Sequence, residues 1–404
     1  MWLAVVIAAV SGSLVGGVWW QERPLHEAEA LLETGDARGA IRLVNRFLRE
    51  HPSHGRAQGI KARALVEVGD PAAAIALFEQ AGAQDARELH AWARALVQQQ
   101  QWSAAAPLLE RVLAARIDQA DVLLELTACR AKLGEFADAR EAAREYASLP
   151  GCEARGLVML GALHKEQDKL RDACAAWERV LELCPEGDGL QVPAAEFFYE
   201  FGRATLLARD PVRAIELLER SRQFAPQADT LLALGEAYSQ SGRIDEASDA
   251  WREAVSHDPE HVLARLSLAN LALGRRDVHE AQDWLRPLEA SANITSDVAF
   301  SLERMYQFLD NADEARRWRT RGEGLLAQEE VEKAVYCWVR DKPDSSWARV
   351  IRAYRFAEAG NWIEAERMLG PVLPSSPEHG FVMALSHAIQ TRGDLPELVH
   401  IAED

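Results

Sequence analysis

Aromatic residues make up only 7% of this 404-residue chain, although 48% of it is hydrophobic. The apolar mass is carried by alanine and leucine, interleaved with arginine and glutamate, which are residues that lose little on entering a helix. Positive charge is in deficit as well. A formal net charge of -18 denies the chain the basic surface needed to neutralise phosphates, so nucleic acid is not an expected partner, local patches aside. Lysine is scarce beside arginine, a bacterial style of composition. The five cysteines, Cys129, Cys152, Cys174, Cys184 and Cys337, are odd in number and form no CxxC or CxxCH, with no histidine at metal-ligand spacing. No metal or haem site follows. Most of these thiols fall inside helical patterns as small apolar residues, with disulfide pairing as the lesser alternative. A P-loop, a nucleophile elbow, a Gly-rich dinucleotide turn and a paired catalytic carboxylate motif are all missing, so the chain is expected to be no enzyme and to carry no cofactor.

Charge of either sign is missing from Met1 to Trp20. Twenty uncharged residues span about 30 Å as a helix, enough for a bilayer core. Trp2 at one end and Trp19 with Trp20 at the other suit interfacial aromatic belts. No basic residue precedes the run, as a signal peptide usually requires, so a retained single-pass anchor is expected over a cleaved signal. Ala4, Ala8, Gly12 and Gly16 form a small-residue stripe that either drives helix association, and hence a dimer, or arises by chance in an Ala/Gly-rich span. A short tail before a large domain places the remainder outside the cytoplasm, in a periplasmic setting. The cytoplasmic side stays open, because Arg23 and Arg38 stand among acids and hardly discriminate.

From residue 24 onward the chain repeats. The hexamer GEFADA at Gly134 to Ala139 recurs as GDARGA, GDPAAA, QQWSAA, DKLRDA, RDPVRA, GRIDEA, RDVHEA, DNADEA, GNWIEA and GDLPEL. The closing alanines are Ala40, Ala74, Ala105, Ala139, Ala173, Ala214, Ala247, Ala281, Ala315 and Ala365, with Leu398 in the last copy, and most spacings are 33 or 34. Twelve residues before the alanine stand Ala28, Ala62, Ala93, Gly161, Gly202, Gly235, Ala269 and Ala353, while Thr127 and Glu303 break the rule. Tyr238, Tyr306 and Phe356 lie nine before it; Phe78, Trp177 and Trp251 lie four after it. Pro52, Pro185, Pro226, Pro259 and Pro377 lie twelve after it, where a missing donor ends a helix.

Agreement at these offsets over ten or eleven copies resembles the tetratricopeptide repeat. The resemblance implies an all-α fold, a right-handed α-solenoid of about ten to eleven helix-turn-helix pairs preceded by the N-terminal transmembrane helix. Two longer spacings mark insertions, at Cys184 to Pro193 and from about Arg316 to Trp347. The domains are then residues 1–20 (anchor, or an uncleaved signal), 24–315 (repeats one to nine), 316–347 (an extended or an extra helix) and 348–404 (C-terminal repeats).

In that family, inward-facing residues lie 18, 15, 11 and 8 before the alanine and bind segments of partner proteins. Carried onto this chain they are Arg56 and Arg63 in the second repeat and Arg87, His90 and Arg94 in the third, a cluster suited to an acidic segment or a C-terminal carboxylate. The alternative is a solvated basic face paired with nearby acids. Glu196, Arg203, Asp229 and Glu236 give the sixth and seventh repeats mixed charge. The expected role is a membrane-anchored, non-catalytic scaffold or adaptor. An assembly or regulatory factor for an envelope or secretion complex, and an enzyme with an unrecognised site, are the alternatives.

Overall fold

A computed structural model describes residues 22–398, except residues 117, 292–293 and 376–378. The expected anchor helix, with Ala4, Ala8, Gly12 and Gly16, lies outside the described residues, as does Pro377. Among the described residues no helix is long and apolar enough to cross a membrane, and no strand occurs.

Helices follow one another in antiparallel pairs. They are α1 (22–33) with α2 (Ala37–Glu50), α3 (Gly55–Glu67) with α4 (Pro71–Ala81), α5 (Ala86–Gln98) with α6 (Trp102–Ala114), and α7 (Gln119–Leu133) with α8 (Phe136–Ser148). Next come α9 (Glu153–Glu166) with α10 (Leu170–Leu183), α11 (Ala194–Leu207) with α12 (Pro211–Phe224), and α13 (Ala228–Gln240) with α14 (Ile244–His257). The series ends with α15 (Val262–Gly274) and α16 (Val278–Glu289), α17 (Ser296–Phe308) and α18 (Ala312–Asp341), α19 (Ser346–Glu358) and α20 (Trp362–Leu369), and a single α21 (Gly380–Thr391). The eleventh hexamer follows α21, and the residues after it lie outside the described residues.

The hexamer is a turn whose hydrogen bonds explain its sequence. Its first position is left-handed in all ten paired copies: glycine in five, and Gln100, Asp168, Arg209, Arg276 and Asp310 in the rest. A side chain there costs roughly 1–2 kcal/mol, which the surrounding bonds offset. In every copy the next backbone N–H closes on the carbonyl nine residues before the alanine, for example Asp36 N to Leu31 O at 2.8 Å and Arg243 N to Tyr238 O at 2.9 Å. That closure is a Schellman turn, and it satisfies the last carbonyls of the first helix. The same residue then starts the second helix. Asp36, Asp70, Asp210 and Asp277 accept the N–H three positions on, at 2.8–3.2 Å, as do Asn311 and Asn361 at 3.3 Å.

Packing within a pair explains the small residue twelve before the alanine. A methyl group on Gly161 would stand 2.2 Å from the Trp177 indole nitrogen, and one on Gly235 would stand 2.2 Å from that of Trp251. On Gly202 it would meet Leu218 at 2.6 Å. The large residue four after the alanine thus fills the space that the small residue leaves, and both helices close around the buried alanine itself. The exceptions show the same logic inverted. In the ninth pair Glu303 takes the small position and Arg319 the large one; the guanidinium Nε donates to Glu303 Oε1 at 2.8 Å, and Gln307 adds a bond of 2.8 Å. In the fourth pair Thr127 turns its hydroxyl onto Leu123 O at 2.7 Å, and Arg130 is held by Glu110, Glu135 and Asp138.

Helix α18 runs unbroken for 30 residues, so the segment after Arg316 continues the second helix of the ninth pair. Its far end is tied by Arg340, which donates to Asp168 at 2.9 Å. The insertion at Cys184 to Pro193 buries Leu190 among Trp177, Phe197 and Phe198.

The chain separates into two compact units. One holds the residues up to Tyr146 together with Arg352–Leu395; the other holds Ala147–Ile351 with the residues from Pro396. In the first unit the last pair packs onto the third. Asn361 Nδ2 donates to Gln100 O at 3.0 Å, and the fully buried Glu364 accepts from Ser103 N at 3.1 Å. Helix α6, whose own cap residue Gln101 makes no side-chain bond, is therefore capped by a carboxylate 261 residues away.

Candidate partner-binding face

First helices α1, α3, α5 and α7 place the expected positions side by side. Arg63, Arg87, His90 and Arg94 line one concavity of about 350 Å³, with Leu32, Glu33, Glu67, Ala91 and Asp118 completing its wall. Arg56 lies one step away on the same face. The structure thus brings the five predicted residues onto one surface, and it supplies each of four with a carboxylate. Arg56 pairs with Glu22 and Glu29 at 2.8 Å, Arg87 with Glu33 at 3.8 Å, and Arg94 with Glu67 at 3.0 Å and Glu125 at 3.7 Å. His90 Nε2 lies 3.0 Å from Glu125 and Nδ1 4.0 Å from Asp118. Among the described residues Arg63 alone of the five has no ion pair.

The acid that feels the charge of Arg63 is occupied elsewhere. Glu88 is buried and takes part in a variant of the capping box: Asp85 accepts its N–H at 2.8 Å while its own carboxylate turns back to accept Gln84 N at 2.6 Å. Burial pushes the Glu88 carboxyl upward, and the Gln84 N–H and the charge of Arg63 pull it back. That carboxylate occupies the space over Gly59, where any Cβ would meet it at 1.9 Å. The inward position of the second repeat at Gly59 is therefore filled from the third repeat, and Arg63 is left facing the concavity.

The ladder has a period. Arg56 to Glu22 spans 34 residues, and His90 to Glu125, Lys165 to Glu200 and Arg213 to Glu178 each span 35. Such pairs join equivalent helices of successive copies: the first three link first helices and stitch the face, and the fourth links second helices α10 and α12.

A family model of the tetratricopeptide repeat matches residues 25–87, 90–151 and 232–293. The chain belongs to the tetratricopeptide repeat family. No curated protein matches it. Among solved structures, a tetratricopeptide repeat protein from Parabacteroides merdae is 14% identical, with a TM-score of 0.49, over 64% of this chain and 99% of that one. The C-terminal part of a repeat-containing protein from Cytophaga hutchinsonii is 16% identical, with a TM-score of 0.48, over 59% and 97%. PilW, a type IV pilus biogenesis factor, is 11% identical, with a TM-score of 0.44, over 52% and 95%.

In the second unit the tetratricopeptide face carries its own pairs. Asp229 faces His261 Nε2 at 3.2 Å, and because His261 Nδ1 accepts Ala264 N at 3.2 Å the ring holds its proton on Nε2 and donates to Asp229. Arg203 donates to Tyr199 Oη at 3.4 Å, and the half-buried Glu236 is pushed upward by burial with Arg203 opposing. Burial pushes the Cys129 thiol up to about 12, which leaves it inert as a nucleophile at neutral pH. Among the described residues no group of three or more His, Cys, Asp or Glu side chains could hold a metal ion.

Sequence reasoning missed the docking of the last pair. The signal for it was present as an omission: QQWSAA carries no Asp, Asn, Ser or Thr at the cap position where GDARGA, GDPAAA, RDPVRA and RDVHEA carry Asp.

Proposed function

We propose that this protein is a non-catalytic scaffold that captures an acidic segment of a partner protein along the face of repeats one to four. The observation that carries the reading is Arg63, which among the described residues is the one unpaired guanidinium in a concavity where each neighbouring base already has its acid. An entering carboxylate meets a free bidentate donor there and nowhere else among the five positions. Around it, three arginines and one histidine face Glu22, Glu29, Glu33, Glu67, Glu125 and Asp118, so a long polyacidic ligand is repelled. The ligand is a segment with one acidic group seated on Arg63 and neutral or mixed charge on either side. This narrows the sequence-based expectation of a generally basic cluster.

We further infer that residues 1–20 hold the scaffold at a membrane, with the repeats outside the cytoplasm. Alkaline carbonate washing of membranes and protease protection test this part: release into the wash, or repeats protected by an intact inner membrane, overturns it. For the groove, the full-length protein is purified under mild detergent from its own host after brief crosslinking, alongside Arg63→Glu. A partner captured by the parent and lost from Arg63→Glu supports the reading; a partner set unchanged by the substitution refutes it. The exposed far half of α18, with Tyr336 and Leu326 in solvent, is the observation that favours the second reading, an assembly factor with a dedicated docking helix. Deleting residues 323–341 would then abolish one complex and spare the Arg63-dependent one.

A further inference from the structure

The last pair meets the third through a contact that is incompletely satisfied. Asn361 Nδ2 donates to Gln100 O at 3.0 Å, and Glu364 Oε1 accepts Ser103 N at 3.1 Å. Glu364 is fully buried, yet among the described residues its Oε2 has no hydrogen-bond partner. A carboxylate oxygen taken from water without a replacement bond weakens the docking that buries it. The apolar side of the same junction is loose as well. Val97 and Trp102 of the third pair and Phe356 of α19 line an open cleft of about 580 Å³ there, and each of the three is only half-buried.

Little in the surroundings offsets a charge on Glu364. Arg367 acts on it from α20 itself and is exposed; α7 presents Cys129, whose thiol burial pushes up to about 12 and leaves neutral. Helix α6 presents Ser103, and among the described residues α19 and α21 add no charge that acts on it. Burial therefore pushes the carboxyl upward, with Ser103 and Arg367 opposing. Undocked, the group returns to water and to the ordinary glutamate value near ~4.3. The docked form holds the proton more tightly, so docking is firmest below that value and weakens as pH rises through the docked value.

We propose that the last pair is a latch: α19 from Arg352, α20 and α21 undock from the third pair as one unit while α1 to α8 stay folded, and loss of the Glu364 proton favours the open form. The earlier helices hold because each copy of a solenoid is packed on its neighbours. Opening removes the Glu364 cap from α6 and gives Val97, Trp102 and Phe356 to solvent together. The latch does not rest on the Arg63 reading.

Native-state hydrogen exchange on the full-length protein between pH 5 and 7, corrected for the intrinsic rate, is the test. Ser103 and the α20 amides should open together and be less protected than α2 and α3. Their protection should fall as pH rises, by up to tenfold per unit, and then level off. Glu364→Gln should flatten that profile while α2 and α3 keep the parent's protection, which shows that the variant is folded. Asn361→Ala should lower the protection of Ser103 and α20 about tenfold at every pH. The latch is overturned if these amides exchange only with global unfolding, if Ser103 stays protected when α20 opens, if the parent's profile is flat, or if Glu364→Gln keeps the parent's slope.

Discussion

Glu364 offers the sharpest test of how the first unit holds together. It lies on α20, is fully buried, and its Oε1 receives the N–H of Ser103, the second residue of α6. Among the described residues Glu364 Oε2 has no hydrogen-bond partner. Replacing it with alanine strips α6 of its only side-chain cap and leaves a buried N–H unsatisfied. A lost cap costs about 0.5–2 kcal/mol, and a buried donor left unmade costs about 1–3 kcal/mol, counted as one loss and not two. Release of an incompletely solvated carboxylate recovers part of this, so Glu364→Ala should lower stability by roughly 1–2 kcal/mol. Chemical denaturation measures it, and amide hydrogen exchange at Ser103 localises it, which matters in a repeat protein whose parts need not unfold together.

The pH dependence has a definite sign. Burial pushes the Glu364 carboxyl upward, and Ser103 draws it partly back. The folded chain then holds this proton more tightly than the unfolded one, so its contribution is fully present below the ordinary glutamate value near ~4.3 and is lost as pH rises through the folded value. Glu364→Gln keeps a carbonyl for Ser103 and removes the titration. Relative to the parent, Glu364→Gln should gain stability as pH rises from about 4 and then level off. A Glu364→Ala variant within 0.5 kcal/mol of the parent, by the rough threshold for a surface change, with Ser103 exchange unaltered, would refute the cap. A parent that gains on the Gln variant with rising pH would refute the burial argument.

Three further predictions concern the repeats. Gly235→Ala should cost about 1–3 kcal/mol by overpacking against Trp251, and adding Trp251→Leu should restore part of it; strictly additive losses in the double-mutant cycle would show that the two do not share the space. In the ninth pair, Glu303→Ala should destabilise by about 1 kcal/mol, because Arg319 is half exposed and regains water, whereas Glu303→Gly with Arg319→Trp should recover the parent's stability; a double variant worse than the single one would argue that α17 and α18 pack differently. Tyr238 and Tyr306 donate to Glu219 and Glu289 at 2.8 and 2.7 Å, and burial with the adjacent carboxylate pushes both phenols up to about 12. Folded stability linked to them should decline between about pH 10 and their folded values, and absorbance titration should find Tyr238 and Tyr306 ionising late unless those bonds are absent, alongside Tyr199, whose phenol burial also pushes up.

What the sequence made legible is whatever recurs. The hexamer, its alanine and the small residue twelve before it are set by backbone turns and by a pairwise fit of Gly161 to Trp177 and Gly235 to Trp251, and local physics repeats with the copy. The five inward bases were readable for the same reason, since α1, α3, α5 and α7 present equivalent positions to one side. Their charge state was not readable. Whether Arg94 meets solvent or Glu67 and Glu125 depends on rotamers reaching across to the neighbouring copies, and the offsets that located Arg94 did not include Glu67 or Glu125. Contacts made once are hidden more deeply, because no period announces them. The bond from Glu364 to Ser103 joins copies that a nearest-neighbour solenoid keeps apart, and its trace in the sequence is only a missing cap at Gln101 together with a glutamate whose burial the repeat pattern does not reveal. Such contacts distinguish this chain from a regular array. If Asn361 and Glu364 close the first unit, stability there no longer adds up copy by copy: loosening the last pair should uncap α6, coupling the third pair to a fold contact 261 residues away in sequence.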